Sequence, residues 1–435
     1  DVWRTRLKPL KSLGVNAIRM SHNPHAPALY DLCDQLGLLV MDEASDEWEF
    51  PKRKWLKGWN QGKPSFEGTF DYFEEWIDRD VADMVRRDRC HASIFLWSIG
   101  NEVDYPNDPY SHPVLNGDSS MTQPIYGGYK PDAPRAERIG EIAKRLSSIV
   151  RSIDASRPVT GALAGVVMSN ETAYPEAVDV VGYNYTESRY QEDHKRYPKR
   201  IIYGSENRHD ADAWKAVTDN EHIFGQFLWT GIDYLGESGP WPARGSEAGL
   251  IDLAGFVKPQ GWMRATMWGG TVPDSIRQFL NTDRRSWATA MQTGRPHALR
   301  TYLREPIDGE RAGRVAQIVV EVVDEEGRVV PMADNEITCR LSLEQEDNSA
   351  RDAQRRGPSA RLLGMENGDI RDTRVQTPSF QSAPQRGNRG GFGGRNVYSR
   401  CRVKQGRLVT YVALTSAPVR IQFSSPFLQS SELSF

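Results

Sequence analysis

The sequence predicts an α/β protein: a (β/α)8 TIM barrel whose first strand is missing, followed by an all-β domain of the immunoglobulin-like sandwich type. Three observations support this fold class. Helical and strand-like segments alternate over residues 1–270, glycines end the first helical segments, and helical periodicity disappears after Trp268. We therefore divide the chain into a TIM-barrel domain at 1–270, a shortened linker or domain remnant at 271–297, and the β-sandwich at 298–435.

The barrel pattern begins with a helix and a strand at the start of the chain. Apolar residues recur at helical spacing from Trp3 to Leu13, Gly14 ends the helix, and a strand follows at 15–20. Further helices are predicted at 28–36, 73–87 and 135–153. Six more apolar strands are predicted, at 38–41, 93–99, 158–163, 178–183, 200–204 and 224–229. Together with the strand at 15–20 they make seven.

A complete barrel of this type needs one strand more than the seven counted. The chain starts at Asp1, one residue before a helical pattern, so we expect the missing strand just upstream of Asp1 in a longer protein. The second domain shows alternating β sequence from Val315, for example at 318–323, with a turn at Glu326-Gly327. This alternation is typical of a sandwich.

The composition argues against a nucleic-acid or membrane partner. The formal net charge is -3, and no run reaches the ~18–20 apolar residues of a membrane span. The Gly/Arg-rich stretch at 382–395 also allows an RNA-binding interpretation, but one short run in an acidic chain is more typical of a loop. Four cysteines form no C-x-x-C or Cys/His cluster, so we expect neither a zinc site nor a dense disulfide framework; whether Cys339 and Cys401 pair stays open.

Two glutamates lie where buried strands end. Glu102 follows the strand 93–99 through Gly100-Asn101, and Glu206 follows the strand that ends at Gly204. Active sites of such barrels lie at the carboxyl ends of the strands, and two carboxylates flanking a glycosidic bond suffice for its hydrolysis. Either glutamate alone is equally explained as a salt-bridge partner or a helix cap. Their joint placement favours a catalytic interpretation.

Four motifs carry a resemblance to a known family. They are Asn-Ala-Ile-Arg-Met-Ser-His-Asn-Pro at 16–24, Cys-Asp at 33–34 together with Met-Asp-Glu-Ala at 41–44, Trp-Ser-Ile-Gly-Asn-Glu at 97–102 and Gly-Ser-Glu at 204–206. With them the chain resembles glycoside hydrolase family 2, the β-galactosidase and β-glucuronidase family. The similarity covers residues 1–268 and, less closely, the C-terminal β domain.

The resemblance implies a retaining β-glycosidase that works by double displacement. Glu102 is then the general acid/base and Glu206 the nucleophile that forms a covalent glycosyl-enzyme intermediate, while Asn101 binds the sugar 2-hydroxyl. Glu206 must stay ionised, with Tyr185 or Arg19 as its hydrogen-bond donor. The substrate is a carbohydrate, and the resemblance implies no cofactor.

The resemblance also implies a set of substrate-binding residues at the strand ends. Each of four members of this set also has a structural alternative. His22 could be packed in the core, Trp229 could serve packing alone, and Glu43 and Asp233 could have structural roles. The implied set comprises Arg19, His22, Glu43, Asn101, Asn184, Tyr185, Trp229 and Asp233.

Within the family we favour a β-galactosidase. The stretch 244–252 lacks the Asn-x-Lys motif of the family's β-glucuronidases, although Arg244 leaves that activity open, and β-mannosidase is a further alternative. The magnesium site of some β-galactosidases needs acidic and His ligands after the third strand. Because Asp46, Glu47 and Glu49 come here without a His, we expect no required metal.

The hypothesis from another class is a non-catalytic glycan-binding fragment. The presence of both glutamates speaks against it. The family normally begins with a jelly-roll-like sugar-binding domain and an immunoglobulin-like domain, and their expected loss speaks for it. The sequence leaves a homo-oligomer open. A periplasmic or secreted location fits the family, and its signal would lie upstream of Asp1.

Overall fold

The computed structural model describes residues 2–52, 68–116, 128–274, 276–277, 293–307, 313–343, 360–372, 379–381, 396–414 and 419–435. Its contacts divide the chain into two compact units. The barrel unit holds Leu10–Gly231 and Trp268–Gly270, and the other unit holds Asp1–Pro9, Ile232–Met267 and Thr271–Phe435. Residues 232–267 therefore group with the β domain, which differs from the boundary that we expected near 270. The division at 270 and 298 stays a prediction, and the expected linker lies mostly outside the described residues.

The barrel unit is built on one parallel sheet. Its strands pair in chain order, each parallel to the next, and Cα atoms of the first and last strands approach within 8 Å, so the sheet is nearly closed. All seven predicted strands are confirmed with small shifts at their ends. They are β1 Ala17–Arg19, β2 Leu39–Glu43, β3 Ile94–Asn101, β4 Val159–Leu163, β5 Val180–Asn184, β6 Ile202–Asn207 and β7 Ile223–Leu228.

Helices connect these strands, and local sequence explains where several of them begin and end. The second helix begins at Pro27, whose fixed φ suits a first helical position, and ends at Gly37, which adopts a φ of 63°. The eighth is capped by Asp210, whose side chain accepts from the Ala213 N–H. The helices are α1 Val2–Ser12, α2 Pro27–Leu36, α3 Phe73–Asp88, α4 Glu137–Ile153, α5 Val166–Ser169, α6 Tyr174–Ala177, α7 Tyr190–Arg196, α8 Ala211–Thr218 and α9 Pro259–Trp268.

A layer of apolar side chains fills the barrel interior below the carboxyl ends of the strands. Met41, Leu96, Val180 and Tyr203 come from four strands and pack as one buried cluster. Side chains two residues apart on a strand share a face. The side chains two positions further along these strands, such as Glu43, Ser98 and Ser205, therefore also point inward and lie above this apolar layer.

The other unit is dominated by two antiparallel sheets. Their order is β10-β11-β16-β13 and β14-β15-β12-β17-β18, and their inner faces share one hydrophobic core. A small hairpin precedes them. These sheets agree with the predicted all-β domain, and the domain and its immunoglobulin-like topology stay predictions. The strands are β8 Tyr234–Leu235, β9 Gly245–Ser246, β10 Ala298–Leu303, β11 Val315–Val323, β12 Glu336–Leu343, β13 Ala360–Glu366, β14 Ser379–Gln381, β15 Asn396–Arg402, β16 Arg407–Leu414, β17 Val419–Ser424 and β18 Ser431–Ser434.

Two remaining expectations concern cysteines and membrane spans. Cys339 on β12 faces Ser399 across the sheet, and Cys401 faces Ile337, so the two thiols are out of register and no disulfide joins them. Within the described ranges, no helix combines the length and the apolar character that crossing a bilayer requires. The Gly/Arg-rich stretch at 382–395 lies outside the described residues.

Truncation of the interior layer should destabilise the barrel. Leu96 is 1% exposed, so Leu96→Ala leaves a cavity and should lower the free energy of unfolding by about 2–5 kcal/mol. Leu39→Ala is the matched control on β2, because Leu39 is 44% exposed and should cost less than about 1 kcal/mol. Urea unfolding followed by tryptophan fluorescence measures both, and equal losses would contradict the interior assignment.

Candidate active site

The polar residues of the barrel gather at one rim because the carboxyl ends of parallel strands meet there. Arg19 ends β1, Glu43 ends β2, Asn184 ends β5 and Glu206 is the second-last residue of β6. Glu102 comes directly after β3 with a φ of 48°, a left-handed conformation that is uncommon for a residue with a side chain. The strand ends thus bring together side chains that are far apart in the sequence.

Arg19 connects most of this rim. Its Nη1 donates to Glu206 Oε1 at 2.6 Å and to the Ser205 carbonyl at 3.1 Å. Its Nε and Nη2 donate to Glu43 Oε2 at 3.0 and 2.7 Å, and Nη2 also donates to Asn101 Oδ1 at 2.7 Å. The side chain is 4% exposed. One buried guanidinium therefore holds both carboxylates and the amide.

Glu43 is the second anchor of the network. Its carboxylate is fully buried and accepts from Arg19, from Ser98 Oγ at 2.7 Å and from His22 Nδ1 at 2.7 Å. Burial by itself raises the pKa of Glu43, but Arg19, His22 and Ser98 outweigh it and lower the pKa to about 2. These contacts engage both oxygens of Glu43. They favour the structural alternative over the predicted contact with sugar hydroxyls.

His22 and Trp229 form one side of the site. Their rings stack in parallel with centroids 5.1 Å apart. His22 Nε2 lies 3.2 Å from Asn101 Nδ2 and 3.6 Å from Glu206 Oε1. The structure therefore brings both predicted residues to the two motifs that hold the carboxylates. His22 makes polar contacts on both ring nitrogens, which differs from a core-packed histidine.

Glu102 is held by two neutral donors. Tyr105 donates its hydroxyl to Glu102 Oε2 at 2.5 Å, and Asn184 Nδ2 donates to Glu102 Oε1 at 3.1 Å. The same Nδ2 donates to Asn101 Oδ1 at 3.1 Å, and Ser205 Oγ donates to Asn184 Oδ1 at 2.5 Å. Asn184 thus links Glu102 to the Arg19 network. Tyr105 was not anticipated, because nothing in the sequence distinguishes it from other loop tyrosines.

The environment of Glu206 works in two directions. Burial raises the pKa of Glu206, and the nearby Glu102 adds to this, whereas Arg19, His22 and a hydrogen bond from the Tyr185 hydroxyl lower it. The net direction is upward, against the expectation that this carboxylate is held ionised. Burial and Glu206 also raise the pKa of Tyr185, so this phenol stays a neutral donor. The 2.6 Å contact with Arg19 is a charge-assisted bond that favours the anion.

Two further charged residues border the site. Asp46 Oδ1 accepts from Lys52 Nζ at 2.6 Å and from Asn101 Nδ2 at 2.9 Å. The sequence marked Asp46 only as an inadequate metal ligand, and Lys52 stood in no motif. Among the residues that the structure describes, one group of acids and histidine has ligand atoms within 4.8 Å of one another, and it consists of Asp31, Asp34 and His91. The acids after β2 do not form such a group.

Asp233 belongs to the other compact unit. Its Oδ1 accepts from Lys258 Nζ at 2.8 Å and from the Gly249 N–H at 2.8 Å. Both contacts lie within that unit. They account for this carboxylate structurally, and its predicted role as a sugar ligand stays a prediction.

Comparison with known proteins agrees with the motifs and with the fold. The model of the family described as glycosyl hydrolases family 2, TIM barrel domain, matches residues 2–209. Over residues 2–209 the chain therefore matches glycoside hydrolase family 2. Beta-galactosidase BoGH2A of Bacteroides ovatus is 34% identical over 316 residues, which cover 60% of this chain and 35% of that protein. A putative beta-glucuronidase of Formosa agariphila is 29% identical over 294 residues, or 61% of this chain and 27% of that protein.

Solved structures of family 2 share the fold. A glycosyl hydrolase family 2 member from Bacteroides cellulosilyticus aligns with a TM-score of 0.70 and 20% identity, and the alignment covers 100% of this chain and 59% of that one. The matches thus span about a third of the length of the two curated relatives.

Loss of the Glu43 charge should destabilise the barrel. Glu43→Gln leaves Arg19 buried with one counter-ion fewer and should lower the free energy of unfolding by about 3–5 kcal/mol. Ser98→Ala removes one hydrogen bond to the same oxygen and should cost about 1 kcal/mol. Urea unfolding of the unaltered protein, Glu43→Gln and Ser98→Ala at neutral pH measures both losses. A smaller loss of unfolding free energy for Glu43→Gln than for Ser98→Ala would contradict the prediction.

The stabilisation by Glu43 should vanish in acid. Because the folded-state pKa of about 2 lies below the ordinary 4.5, ionised Glu43 stabilises fully above pH 4.5, and this contribution is lost as the pH falls towards 2. The difference in unfolding free energy between the unaltered protein and Glu43→Gln should therefore shrink over that interval. A difference that is constant with pH would show that Glu43 does not titrate as its contacts require.

Proposed function

We propose that this chain carries the catalytic centre of a retaining β-glycosidase that acts on terminal β-galactosides. The observation that carries the proposal is the pair Glu102 and Glu206 at the ends of β3 and β6, joined through one network of Asn184, Asn101 and Arg19. Two carboxylates at a barrel mouth are what glycoside hydrolysis requires.

The two carboxylates have different surroundings, which supports different roles. Glu206 accepts from a guanidinium and a tyrosine hydroxyl, donors that stabilise an anionic nucleophile. Glu102 accepts from a hydroxyl and an amide. We assign Glu206 as nucleophile and Glu102 as acid/base on this contrast.

The proposed reaction has two displacements. Glu206 attacks the anomeric carbon while Glu102 gives its proton to the leaving oxygen, so a glycosyl ester forms and the aglycone departs as an alcohol. Glu102 then takes a proton from water as that water attacks the same carbon and breaks the ester. Two inversions restore the starting configuration.

Charge at the site supports a neutral sugar. In the part of the site that the structure describes, the carboxylates of Glu43, Asp46 and Glu206 and the acid Glu102 lie near the cations Arg19 and Lys52, and each of these cations already contacts a carboxylate. Anionic neighbours suit an oxocarbenium-like transition state, and cations already paired with carboxylates do not favour a uronate. It favours a β-galactoside over a β-glucuronide, in agreement with the relative named as a beta-galactosidase; β-mannosidase is the remaining family alternative.

A non-catalytic glycan-binding fragment is less well supported. Binding alone requires no second carboxylate linked to the first. The expectations of no nucleic-acid partner, no cofactor, an open oligomeric state and an immunoglobulin-like C-terminal domain remain predictions.

The substrate proposal is tested by hydrolysis of nitrophenyl β-galactoside, β-glucuronide and β-mannoside with the protein at its natural full length. We expect the β-galactoside to give the highest kcat/KM, and Glu206→Gln to abolish turnover because the attacking carboxylate is lost. Hydrolysis of none of the three, or turnover unaffected by Glu206→Gln, would refute the assignment. Proton NMR of the first-formed sugar anomer tests retention, and an initial α-anomer would indicate inversion.

The acid role of Glu102 predicts a dependence on the leaving group. Glu102→Gln should lower kcat/KM about 10²–10⁴-fold for an alkyl β-galactoside, which needs a proton on its leaving oxygen. Dinitrophenyl β-galactoside needs little protonation, so its first displacement should be impaired far less. Equal losses for the two substrates would contradict the role.

A further inference from the structure

The amide of Asn101 is held in one orientation by its contacts. Its Oδ1 accepts from Arg19 at 2.7 Å and from Asn184 at 3.1 Å, so the oxygen already has two donors. Its Nδ2 donates to Asp46 Oδ1 at 2.9 Å, and His22 Nε2 lies 3.2 Å from the same nitrogen. A rotation of the amide by 180° would set donors against donors. Asn101 therefore offers a substrate its N–H groups rather than its oxygen.

Asp46 is the charged acceptor for this amide. The Asp46 side chain is 42% exposed, and that of Lys52, with which it forms an ion pair, is 19% exposed. Burial raises the pKa of Asp46, but Lys52, His22 and the Asn101 amide outweigh it and hold the pKa well below its usual range. Asp46 remains an anion, and an anion accepts the stronger hydrogen bond.

Lys52 also interacts electrostatically with Glu102 and Glu206. Burial lowers the pKa of Lys52, whereas Asp46 first and then Glu102 and Glu206 raise it, with a net upward direction. The ammonium is thus kept charged beside Asp46. With Nζ at 2.6 Å from Asp46 Oδ1, the pair fixes the oxygen to which the amide binds.

We propose that Asp46 and Lys52 are positioning residues, whose ion pair binds one N–H of Asn101 and thereby directs the other at the 2-hydroxyl of the sugar. This inference rests on the proposed glycosidase function. A bond to the 2-hydroxyl strengthens in the transition state, so loss of its alignment lowers the rate of the chemical step. Neither residue itself touches the reacting atoms.

A substrate that lacks the 2-hydroxyl distinguishes the positioning role of Asp46 and Lys52 from a general effect on the structure of the site. The protein at its natural full length is assayed on nitrophenyl β-galactoside and on its 2-deoxy analogue. Asp46→Ala should lower kcat/KM about 10–100-fold on the first substrate, as expected for a hydrogen bond to a charged group, and less than about 3-fold on the second. Lys52→Gln should show the same preference with a smaller loss, since Asp46 keeps its amide contact.

Three further variants sharpen the test. Asn101→Ala should remove the difference between the substrates, and adding Asp46→Ala to it should cause little further loss. Asp83→Ala breaks an exposed ion pair with Arg86 on α3 and should leave both substrates unaffected. Circular dichroism confirms folding, and Lys52→Gln replaces Asp46→Ala if the latter does not fold.

The outcomes are distinguishable. A selective loss on the 2-hydroxy substrate supports the positioning role. Equal losses on both substrates, or no loss on either, overturn it and leave the glycosidase assignment intact. Absence of hydrolysis by the unaltered protein would overturn the proposed function and this inference together.

Discussion

The buried guanidinium of Arg19 is the interaction on which the site depends. A cation removed from water is stable only with anionic partners and hydrogen bonds, and Arg19 finds them in Glu43 and Glu206. Arg19 lies on β1 and its partners lie on β2 and β6, so these bonds form together only when the sheet curls towards closure. Formation of the barrel and assembly of the candidate nucleophile are therefore the same event.

Stability and chemistry are linked through this network. Glu43 binds Nε and Nη2 of Arg19, whereas Glu206 binds Nη1, so the guanidinium links the charge of Glu43 to the candidate nucleophile. In the described part of the site, acidic side chains surround Arg19 and Lys52. Gathering acidic groups in this way costs folding free energy but suits a reaction that develops positive charge on the sugar.

Hydrophobic periodicity and the glycines that end helices predicted the barrel well, because both reflect interactions between residues that are near neighbours in the sequence. All seven strands were found, and Glu102, Glu206 and Arg19 were found at their ends. Other parts escaped prediction. Tyr105 and Lys52 lie in loops where no period restricts the direction of a side chain. The contact-based boundary also differs, because packing rather than helix periodicity assigns residues 232–267 to the β domain.

By itself, the sequence determined the order of helices and strands and the positions of the acidic residues at strand ends, because hydrophobic periodicity and strand termini are local properties of the chain. Only the tertiary structure decided which oxygen meets which donor. Arg19 and Glu206 are 187 positions apart, and Asn101 meets Asp46 across 55. Hydrogen bonds and burial act over a few ångströms in space, so they become defined only once the barrel brings these segments together.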